Sequence, residues 1–296
     1  MGNGEEGTGN REEGMGNGEV IAVCGTCPRH CRLAEGAEGF CRARRAEGGR
    51  VVAANYGKVT SLALDPIEKK PIAFFHPGEN VLSVGSFGCN LRCPFCQNDA
   101  ISQHGADSVP CRSVTPVELA DLALSIKNER GNIGLAYTYN EPLVGWEFVR
   151  DSAREVRARG MLNVLVSNGC ADASVVEELV PLIDAANIDV KGPSQDYYDW
   201  VGGDFDTVCR TVRTLHAAGC HVEVTTLVVP GRNDADGDLD AIAAFIASVS
   251  SDIPLHVTRF FPRFHMLDAQ PTPVAAVHRL ADVARRRLNR VLVGNC

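Results

Sequence analysis

The chain has 296 residues, 45% of them hydrophobic, which is enough for one large domain or for a domain with an appended module. Its 29 basic and 37 acidic residues give a net charge of −8, so nucleic acid is an unlikely partner. The sequence shows no apolar run long enough to cross a bilayer and no secretory signal pattern, so we expect a cytoplasmic protein that does not enter a membrane. Twelve cysteines then indicate metal binding in a reducing compartment rather than disulfides.

The first 19 residues are almost entirely Gly, Glu, Asn and Arg. Such a composition offers no apolar side chains for a core, so we predict a disordered tail over residues 1–19.

A cysteine-rich module is predicted over residues 20–55. It contains Cys24, Cys27, Cys31 and Cys41, separated by Gly-rich turns. Four thiolates so close in sequence predict one closed four-ligand metal site. Structural zinc is favoured because closed four-cysteine sites on small turn-rich modules commonly hold it. An auxiliary iron–sulfur cluster is the alternative, since both centres accept four thiolates.

Residues 56–79 are predicted to form an extended, proline-studded connection, and residues 80–296 alternate between strand and helix patterns. The predicted strands are 81–84, 133–137, 162–166, 187–190, 221–228, 255–259 and 291–293. The predicted helices begin near residues 115, 142, 175, 239 and 272, and another ends near residue 219. This alternation indicates parallel βα units in an α/β fold. About six units are counted, which predicts an incomplete barrel by comparison with the eight-fold one.

Three further cysteines directly follow the first of these strands. Cys89, Cys93 and Cys96 have the spacing C-x3-C-x2-C. Three thiolates can hold a [4Fe–4S] cluster while one iron keeps no protein ligand and can bind a small molecule. A structural zinc site is the alternative, but such sites close with four ligands and usually pair C-x2-C units.

This triplet, with the aromatic Phe95 before its last cysteine, resembles the signature of the radical S-adenosylmethionine (SAM) superfamily. The resemblance implies a partial (β/α)6 barrel that resembles the TIM barrel. It also implies a [4Fe–4S] cluster on Cys89, Cys93 and Cys96, whose free iron chelates the amino and carboxylate groups of SAM. Phe95 belongs to the SAM site that the resemblance implies.

Other candidate SAM-binding residues follow the second and third predicted strands, because chemistry gathers at the carboxyl ends of parallel strands. Asn140 and Glu141 occupy the place of the Gly-Gly-Glu motif of the family, which receives the SAM amino group, although the two glycines are absent here. The alternative is a helix start with an acidic first turn. Ser167 and Asn168 resemble a Thr-Asn-Gly segment and can hold the ribose hydroxyls or the carboxylate of SAM. The alternative there is a simple Asn-Gly turn.

The fourth predicted strand ends with Asp189 and Lys191, similar to the Asp-x-Lys of pyruvate formate-lyase activating enzymes. By this resemblance Lys191 neutralises the SAM carboxylate or a substrate carbonyl, and Asp189 positions it. A buried ion pair without a ligand role is the alternative.

A wider resemblance covers nearly everything after residue 20. The chain resembles the radical SAM members of the AmmeMemoRadiSam group, which are related to pyruvate formate-lyase activating enzymes. The segments that carry this resemblance are Cys24–Cys31, Asp65–Pro71, the triplet with Gln97-Asn98, Ile101–Gln103, Tyr137–Pro142 and Arg259–Pro262.

The resemblance implies reductive cleavage of SAM to a 5′-deoxyadenosyl radical, which removes hydrogen from a substrate. If the resemblance to the activating enzymes extends to the substrate, the target is a glycine of a partner protein. The resemblance also implies that a flavodoxin or ferredoxin supplies the electron. Two other functions stay open. One is a radical SAM enzyme that modifies a small molecule or RNA, and the other is a non-catalytic iron–sulfur or zinc protein. The sequence leaves open the substrate, the module's metal, the oligomeric state and whether the C-terminus is complete.

Overall fold

The computed structural model describes residues 22–296, so the tail predicted at residues 1–19 lies outside the described residues. Short strands form the first part of this region. They are β1 (Ala22–Val23), β2 (Arg32–Leu33), β3 (Arg44–Glu47), β4 (Arg50–Ala53) and β5 (Lys58–Val59). β1 pairs with β2, and β3 pairs with β4, both antiparallel. The predicted cysteine-rich module is thus built from two small hairpin-like pairs.

One eight-stranded sheet dominates the rest of the chain. Its strands are β6 (Ser61–Pro66), β7 (Asn80–Gly85), β9 (Asn132–Tyr137), β10 (Leu162–Ser167), β11 (Ala185–Asp189), β12 (His221–Val228), β13 (Leu255–Arg259) and β14 (Val291–Gly294). A further strand, β8 (Arg112–Ser113), pairs with β5 instead. The spatial order is β14-β13-β12-β11-β10-β9-β7-β6. The seven strands from β7 to β14 in this sheet run parallel, and β6 is antiparallel to β7.

Helices follow the parallel strands. They are α1 (Asp99–Ser102), α2 (Pro116–Ser125), α3 (Lys127–Arg130), α4 (Trp146–Ala158), α5 (Ala173–Leu179), α6 (Gln195–Val201), α7 (Phe205–Ala217), α8 (Asp236–Val249) and α9 (Val274–Ala284). Six strand-to-helix units precede the terminal strand β14, so the predicted α/β partial barrel is confirmed. No helix within residues 22–296 has both the length and the apolar character to cross a bilayer.

Two predicted elements differ from the structure in detail. Residues 56–79 are not only a connection, because β6 joins the main sheet along the full length of β7. The helix predicted from residue 142 starts with a 3-10 turn, Pro142–Gly145, before α4 begins. Proline fixes the backbone for that first turn and lacks an N–H, so this position suits a helix start.

The two faces of the sheet carry different side chains. Leu82, Leu135 and Leu165 face the helices and belong to the large hydrophobic core. Alternate residues on the other face, among them Val81 and Ala136, pack against two isoleucines of the segment after β6. Because side chains alternate along a strand, this second face is the interior of the partial barrel. The segment after β6 therefore covers the interior at the amino ends of the strands.

One buried carboxylate ties that covering segment to the sheet. Glu223 on β12 accepts hydrogen bonds from the backbone N–H groups of Ala73 and Phe74 and from Nε2 of His221 and His256, at 2.6–3.0 Å. Burial alone would raise the pKa of Glu223. The four donors outweigh burial and lower this pKa from 4.5 to about 2.

We expect Glu223→Gln to lower the free energy of unfolding by about 1–3 kcal/mol, because the new amide NH2 group would face donors instead of accepting from them. Urea unfolding would measure this loss. The control is Glu129→Gln on the exposed surface of α3, which should change the free energy by less than about 0.5 kcal/mol.

The same residue predicts a pH dependence. The pKa of Glu223 is lower in the folded protein than the ordinary value of 4.5, so its charge stabilises the fold fully above that pH. This contribution is lost progressively as the pH falls from 4.5 toward about 2. The stability difference between wild type and Glu223→Gln should therefore shrink across this window, and a constant difference would contradict the assignment.

The module packs directly on the loop that follows β7. Gly88 in this loop has φ +87°, in the region that favours glycine. A Cβ atom there would lie 2.5 Å from the carbonyl oxygen of Cys41 and 2.8 Å from Cβ of Ala43. The contact therefore requires glycine both for its backbone angle and for the close approach of the two chains.

We expect Gly88→Ala to lower the free energy of unfolding by at least about 2 kcal/mol, since the left-handed backbone and the steric overlap both cost energy. Thermal and urea unfolding would measure the effect. Gly237→Ala in α8 is the matched control, because nothing lies within 4 Å of its added Cβ. The control should leave stability unchanged or raise it by up to about 1 kcal/mol. Equal effects of the two substitutions would refute the close-packing argument.

Candidate active site

The three cysteines of the C-x3-C-x2-C motif lie in the loop after β7, at the carboxyl end of the sheet. Their thiols are surrounded by hydrogen-bond donors from the same loop. The backbone N–H of Leu91 donates to Sγ of Cys89 at 3.3 Å, and the backbone of Asn98 and the side chain of Ser102 interact with the Cys96 thiol. Donors of this kind stabilise thiolates, and hydrogen bonds to the sulfurs tune an iron–sulfur centre.

Burial raises the pKa of all three thiols, to about 12 for Cys93. The charges of Glu141 and Cys93 raise the pKa of Cys89 further. The charge of Lys191 acts in the opposite direction and lowers the pKa of Cys93 and Cys96. Buried thiols of this kind become thiolates when a cationic centre ligates them. The donor set therefore fits the cluster that the motif predicts.

Asn140, after β9, braces the cysteine loop. Its Oδ1 accepts from the N–H of Ser86 at 2.9 Å, and its Nδ2 donates to the carbonyl oxygens of Phe87 and Gly88 at 3.1 and 3.2 Å. Both polar atoms are thus engaged with the loop that leads into Cys89. The structure places Asn140 as a positioning residue, and its predicted contact with SAM stays a prediction.

Glu141 joins the loops after β9 and β10. Its Oε1 accepts from the Leu143 N–H at 2.9 Å and from Oγ of Ser167 at 2.7 Å, and its Oε2 accepts from the Asn168 N–H at 2.8 Å. Burial raises the pKa of Glu141 to about 7, against the lowering effect of these donors. The residue also caps the 3-10 turn, so it lies at a helix start, and its predicted contact with SAM stays a prediction.

Asn168 reaches back to the cysteine loop. Its Nδ2 lies 3.6 Å from Sγ of Cys89 and donates to Oδ1 of Asn90 at 2.9 Å. Its Oδ1 accepts from the N–H of Cys170 at 2.8 Å, which closes a local turn. The Asn-Gly segment is therefore a turn, as one prediction had it, and the asparagine side chain also contacts a cysteine of the triplet.

Lys191 and Asp189 form an ion pair after β11. The Lys191 Nζ lies 2.7 Å from the Asp189 carboxylate. Burial alone would lower the pKa of Lys191, but the charges of Asp189 and Cys93 outweigh it and raise this pKa. Asn233, after β12, donates to the Lys191 carbonyl oxygen at 2.9 Å and so fixes the loop. The pair is largely buried next to the cysteine loop, where it can meet an anionic group of a ligand.

Phe95 is buried beside the ring of Trp200 on α6, with 5.5 Å between the ring centroids. On the other side of the loop, the N–H of His265 donates to the carbonyl oxygen of Pro94 at 2.9 Å. The segment after β13 thus lies over the cysteine loop. Phe95 is part of the packing that holds the loop, and its predicted contact with SAM stays a prediction.

The four cysteines of the module line one small cavity, and the metal that they were predicted to bind stays a prediction. The lining includes Cys24, Cys27, Cys31 and Cys41 together with Phe40 and Arg44. Arg44 is buried and forms an ion pair with Glu147 of α4 at 2.6 Å, which attaches the module to the barrel. All twelve cysteines of the chain are free thiols.

Neither cysteine group is arranged around one ion. Among residues 22–296, no three His, Cys, Asp or Glu side chains are placed to hold a single metal ion. For the module, the zinc favoured on sequence grounds gains no support from this arrangement.

Sequence analysis missed several residues that the fold brings to the site. Asn90 and Arg92 both lie inside the C-x3-C spacing. Tyr139 sends its hydroxyl to the Asp65 carboxylate at 3.0 Å, and the buried Lys70 pairs with the same carboxylate at 2.9 Å. In the sequence, these residues stand out only because they lie within segments that carry the family resemblance. That position gives no information on which residues they contact.

Comparison with known proteins agrees with this geometry. Residues 83–246 match the model of the Radical SAM superfamily. An uncharacterized protein of Methanocaldococcus jannaschii is 39% identical over 274 residues, which cover 92% of this chain and 80% of that protein.

Two activating enzymes are similar over shorter stretches. The benzylsuccinate synthase activating enzyme of Thauera aromatica is 29% identical over 40% of this chain and 37% of the enzyme. The pyruvate formate-lyase 1-activating enzyme of Escherichia coli is 26% identical over 53% of this chain and 65% of the enzyme. The chain thus matches less than two thirds of the length of either enzyme.

Solved structures share the fold. A radical SAM methyltransferase from Sphaerobacter thermophilus superposes with a TM-score of 0.57 at 16% identity, over 74% of this chain and 67% of that chain. SuiB of Streptococcus suis, in a structure with bound SAM, gives a TM-score of 0.54 at 13% identity, over 70% of this chain and 48% of that chain. Since the family model matches more than half of the residues, and the archaeal relative nearly all of them, this chain belongs to the radical SAM superfamily, whose members use a [4Fe–4S] cluster and SAM.

Proposed function

We propose that this protein cleaves SAM reductively and removes a hydrogen atom from the Cα of a glycine in a partner protein. One observation carries the proposal. The loops after β7, β9, β10 and β11 bring the three thiols together with Glu141, Asn168 and the Asp189–Lys191 pair. These groups offer ligands for a cluster, an anion for the ammonium of SAM and a cation for its carboxylate.

The cofactors and the residues of the chain have different roles in this reaction. When bound, a reduced cluster and SAM supply a 5′-deoxyadenosyl radical, and this is the difficult step. Cys89, Cys93 and Cys96 hold the cluster. Glu141 provides negative charge at the amino group of SAM, and Lys191 provides positive charge at its carboxylate.

Two segments of the chain cover this site. Glu223 and the segment after β6 cover the barrel interior from below, and the segment after β13 lies over the cysteine loop from above. A reactive carbon radical abstracts hydrogen from whatever is nearest, so a closed environment protects it from unwanted donors.

Glycine as the target is supported by the two activating enzymes that this chain resembles, although the similarity covers only part of each. In the proposed step, a Cα–H bond of glycine breaks and the hydrogen atom joins the 5′ carbon, which leaves the unpaired electron on the glycine. A flavodoxin or ferredoxin supplies the electron that starts the cycle.

A small molecule is the second candidate substrate, and the barrel interior favours it. Two buried side chains facing the interior carry a polar atom without a hydrogen-bond partner, namely Oδ1 of Asn187 and Oγ1 of Thr225. Buried polar groups usually find partners, so a polar ligand could satisfy these atoms.

The first test is SAM cleavage by the anaerobically reconstituted, chemically reduced protein. We expect 5′-deoxyadenosine and methionine, measured by mass spectrometry, and no product from Cys93→Ala. An intact, reducible cluster that forms no 5′-deoxyadenosine would rule out the enzymatic function and favour a non-catalytic metal protein.

The second test identifies the hydrogen donor. An extract of the source organism, grown on α-deuterated glycine, is separated into protein and low-molecular-weight fractions, and each fraction is added with SAM. Deuterium in 5′-deoxyadenosine from the protein fraction, together with a glycyl radical signal in electron paramagnetic resonance, supports the proposal. Deuterium transfer confined to the small-molecule fraction would favour the second candidate.

We expect Lys191→Met to weaken SAM binding by about tenfold or more, because a charge-assisted contact of about 1.5–3 kcal/mol is lost. Lys191→Arg should retain part of the affinity. Isothermal titration with SAM would measure binding separately from turnover. Lys69→Met is the matched control, because its side chain is 67% exposed. Unchanged SAM affinity in Lys191→Met would leave the lysine only a structural role.

A further inference from the structure

The stretch Asp65–Pro71 contains a buried lysine to which the proposed function assigns no role. Ile67 of this stretch joins Val81 in the cluster of apolar side chains on the interior face of the barrel. Asp65 lies opposite Val81 in the antiparallel β6–β7 pair, and opposite residues of such a pair point to the same face. Asp65 therefore also faces the interior. Lys70, with 3% of its surface exposed, extends its ammonium to this carboxylate.

Lys70, Asp65 and Tyr139 form one hydrogen-bonded group. Nζ of Lys70 donates to Oδ2 of Asp65 at 2.9 Å, and the Tyr139 hydroxyl donates to the same oxygen at 3.0 Å. The ammonium also lies 4.8 Å from the centroid of the Tyr139 ring. Burial would raise the pKa of Asp65, but the hydrogen bonds from Lys70 and Tyr139 outweigh it and lower this pKa. The carboxylate is therefore charged and balances the charge of Lys70.

The ammonium of Lys70 has more donors than partners. A lysine ammonium carries three N–H groups, and Asp65 accepts from one of them. Within residues 22–296, no second acceptor lies in hydrogen-bond reach of Nζ. A buried ion pair is also a poor source of stability, because apolar side chains of similar volume often replace it without loss. A ligand that accepts from the remaining N–H groups explains the pair better than folding does.

Tyr139 connects this pair to the candidate SAM site. It lies two residues before Glu141, and its carbonyl oxygen accepts from Nδ2 of Asn98, at the end of the cysteine loop, at 2.7 Å. The φ angle of Tyr139 is +73°, which costs energy for residues other than glycine. Its ring lies against Gly85 of β7, where an added Cβ would be 2.9 Å from Cδ2 of Tyr139. This strained backbone turns the ring into the interior, so the ammonium of Lys70 lies near the candidate SAM site.

Charge balance selects the kind of ligand. Since Asp65 already neutralises Lys70, a carboxylate or phosphate would place a second negative charge beside Asp65, whereas an uncharged carbonyl oxygen accepts an N–H without this repulsion. Asn187 offers the complementary group. Its Nδ2 donates to the Pro71 carbonyl oxygen at 2.7 Å, and its buried Oδ1 has no partner in the described part of the chain. A ligand with an acceptor for Lys70 and a donor for Asn187 carries amide groups.

We propose that Lys70 and Asn187 bind amide groups of the substrate inside the barrel, Lys70 at a carbonyl oxygen and Asn187 at an N–H. The inference deepens the proposed function and rests on it for the entry of the substrate into the barrel. Both residues bind and position the substrate and take no part in breaking its C–H bond. A peptide with the target glycine and a small amide share this chemistry, so the experiment compares the two sources.

Ligand binding is measured with SAM present and the cluster oxidised, so that no turnover occurs. The probes are a capped Ala-Gly-Ala peptide, N-acetylglycinamide and N-acetylglycine, and saturation-transfer NMR gives their dissociation constants. We expect the neutral N-acetylglycinamide to bind more tightly than the anionic N-acetylglycine. Tighter binding of the peptide supports a protein substrate, and binding of N-acetylglycinamide alone supports a small amide. Preference for N-acetylglycine, or no binding of either neutral probe, would overturn the proposal.

Lys70→Met should weaken the binding of the neutral probes by about tenfold or more, because a hydrogen bond from a charged donor is lost. The affinity for SAM, measured by isothermal titration, should change less than twofold. Lys69→Met is the matched control, because Lys69 pairs with the same Asp65 carboxylate at 3.5 Å but its side chain is 67% exposed. Unchanged probe binding in Lys70→Met, or equal weakening in the two variants, would contradict a binding role for Lys70.

A double variant separates binding from folding, because Lys70→Met alone leaves the Asp65 charge without its lysine partner. Asp65→Asn/Lys70→Met removes both charges and keeps an acceptor for the Tyr139 hydroxyl. It should unfold at the urea concentration of the wild type or a higher one, yet bind the neutral probes about tenfold or more weakly. A stable double variant with wild-type probe binding would leave the pair only a structural role. Since no measurement here needs SAM cleavage, an inactive enzyme would affect the proposed function and leave this result intact.

Discussion

Three thiols buried side by side form the constraint on which the rest of this structure depends. Burial raises the pKa of Cys89, Cys93 and Cys96, so the loop is suited to a cationic centre that converts them to thiolates. A loop that presents three ligands must keep a fixed backbone. It has almost no regular secondary structure of its own to provide this rigidity. The surrounding loops supply that rigidity.

The ends of neighbouring strands contribute bracing side chains. Asn140 holds the entry to the loop, Glu141 ties the loops after β9 and β10 together, and Asn233 holds the Lys191 loop. Hydrogen bonds between these loops are possible because the strands that lead into them, β7 and β9 to β12, all run parallel. The same residues that stabilise the fold therefore lie where a ligand of the cluster would bind, and structural and ligand roles are combined in single side chains.

The cysteine-rich module also packs against the loop that carries the triplet. Its contact with the triplet depends on Gly88, where no side chain fits against Cys41, and on the stack of Phe40 between Arg29 and Arg92. These contacts give the four-cysteine module a fixed position next to the cysteine triplet.

The sequence by itself determined the ligand types and their spacing, the alternation of strands and helices, and several boundaries, such as His221–Val228 for β12. These features depend on neighbours in the chain, where periodicity and local geometry act. The tertiary structure alone decided that β6 joins the sheet, that Asn140 and Glu141 brace loops, and that Asn90 links two cysteine groups. Those contacts join residues from 14 to 78 positions apart, because they form only when separate segments of the chain meet in the folded protein.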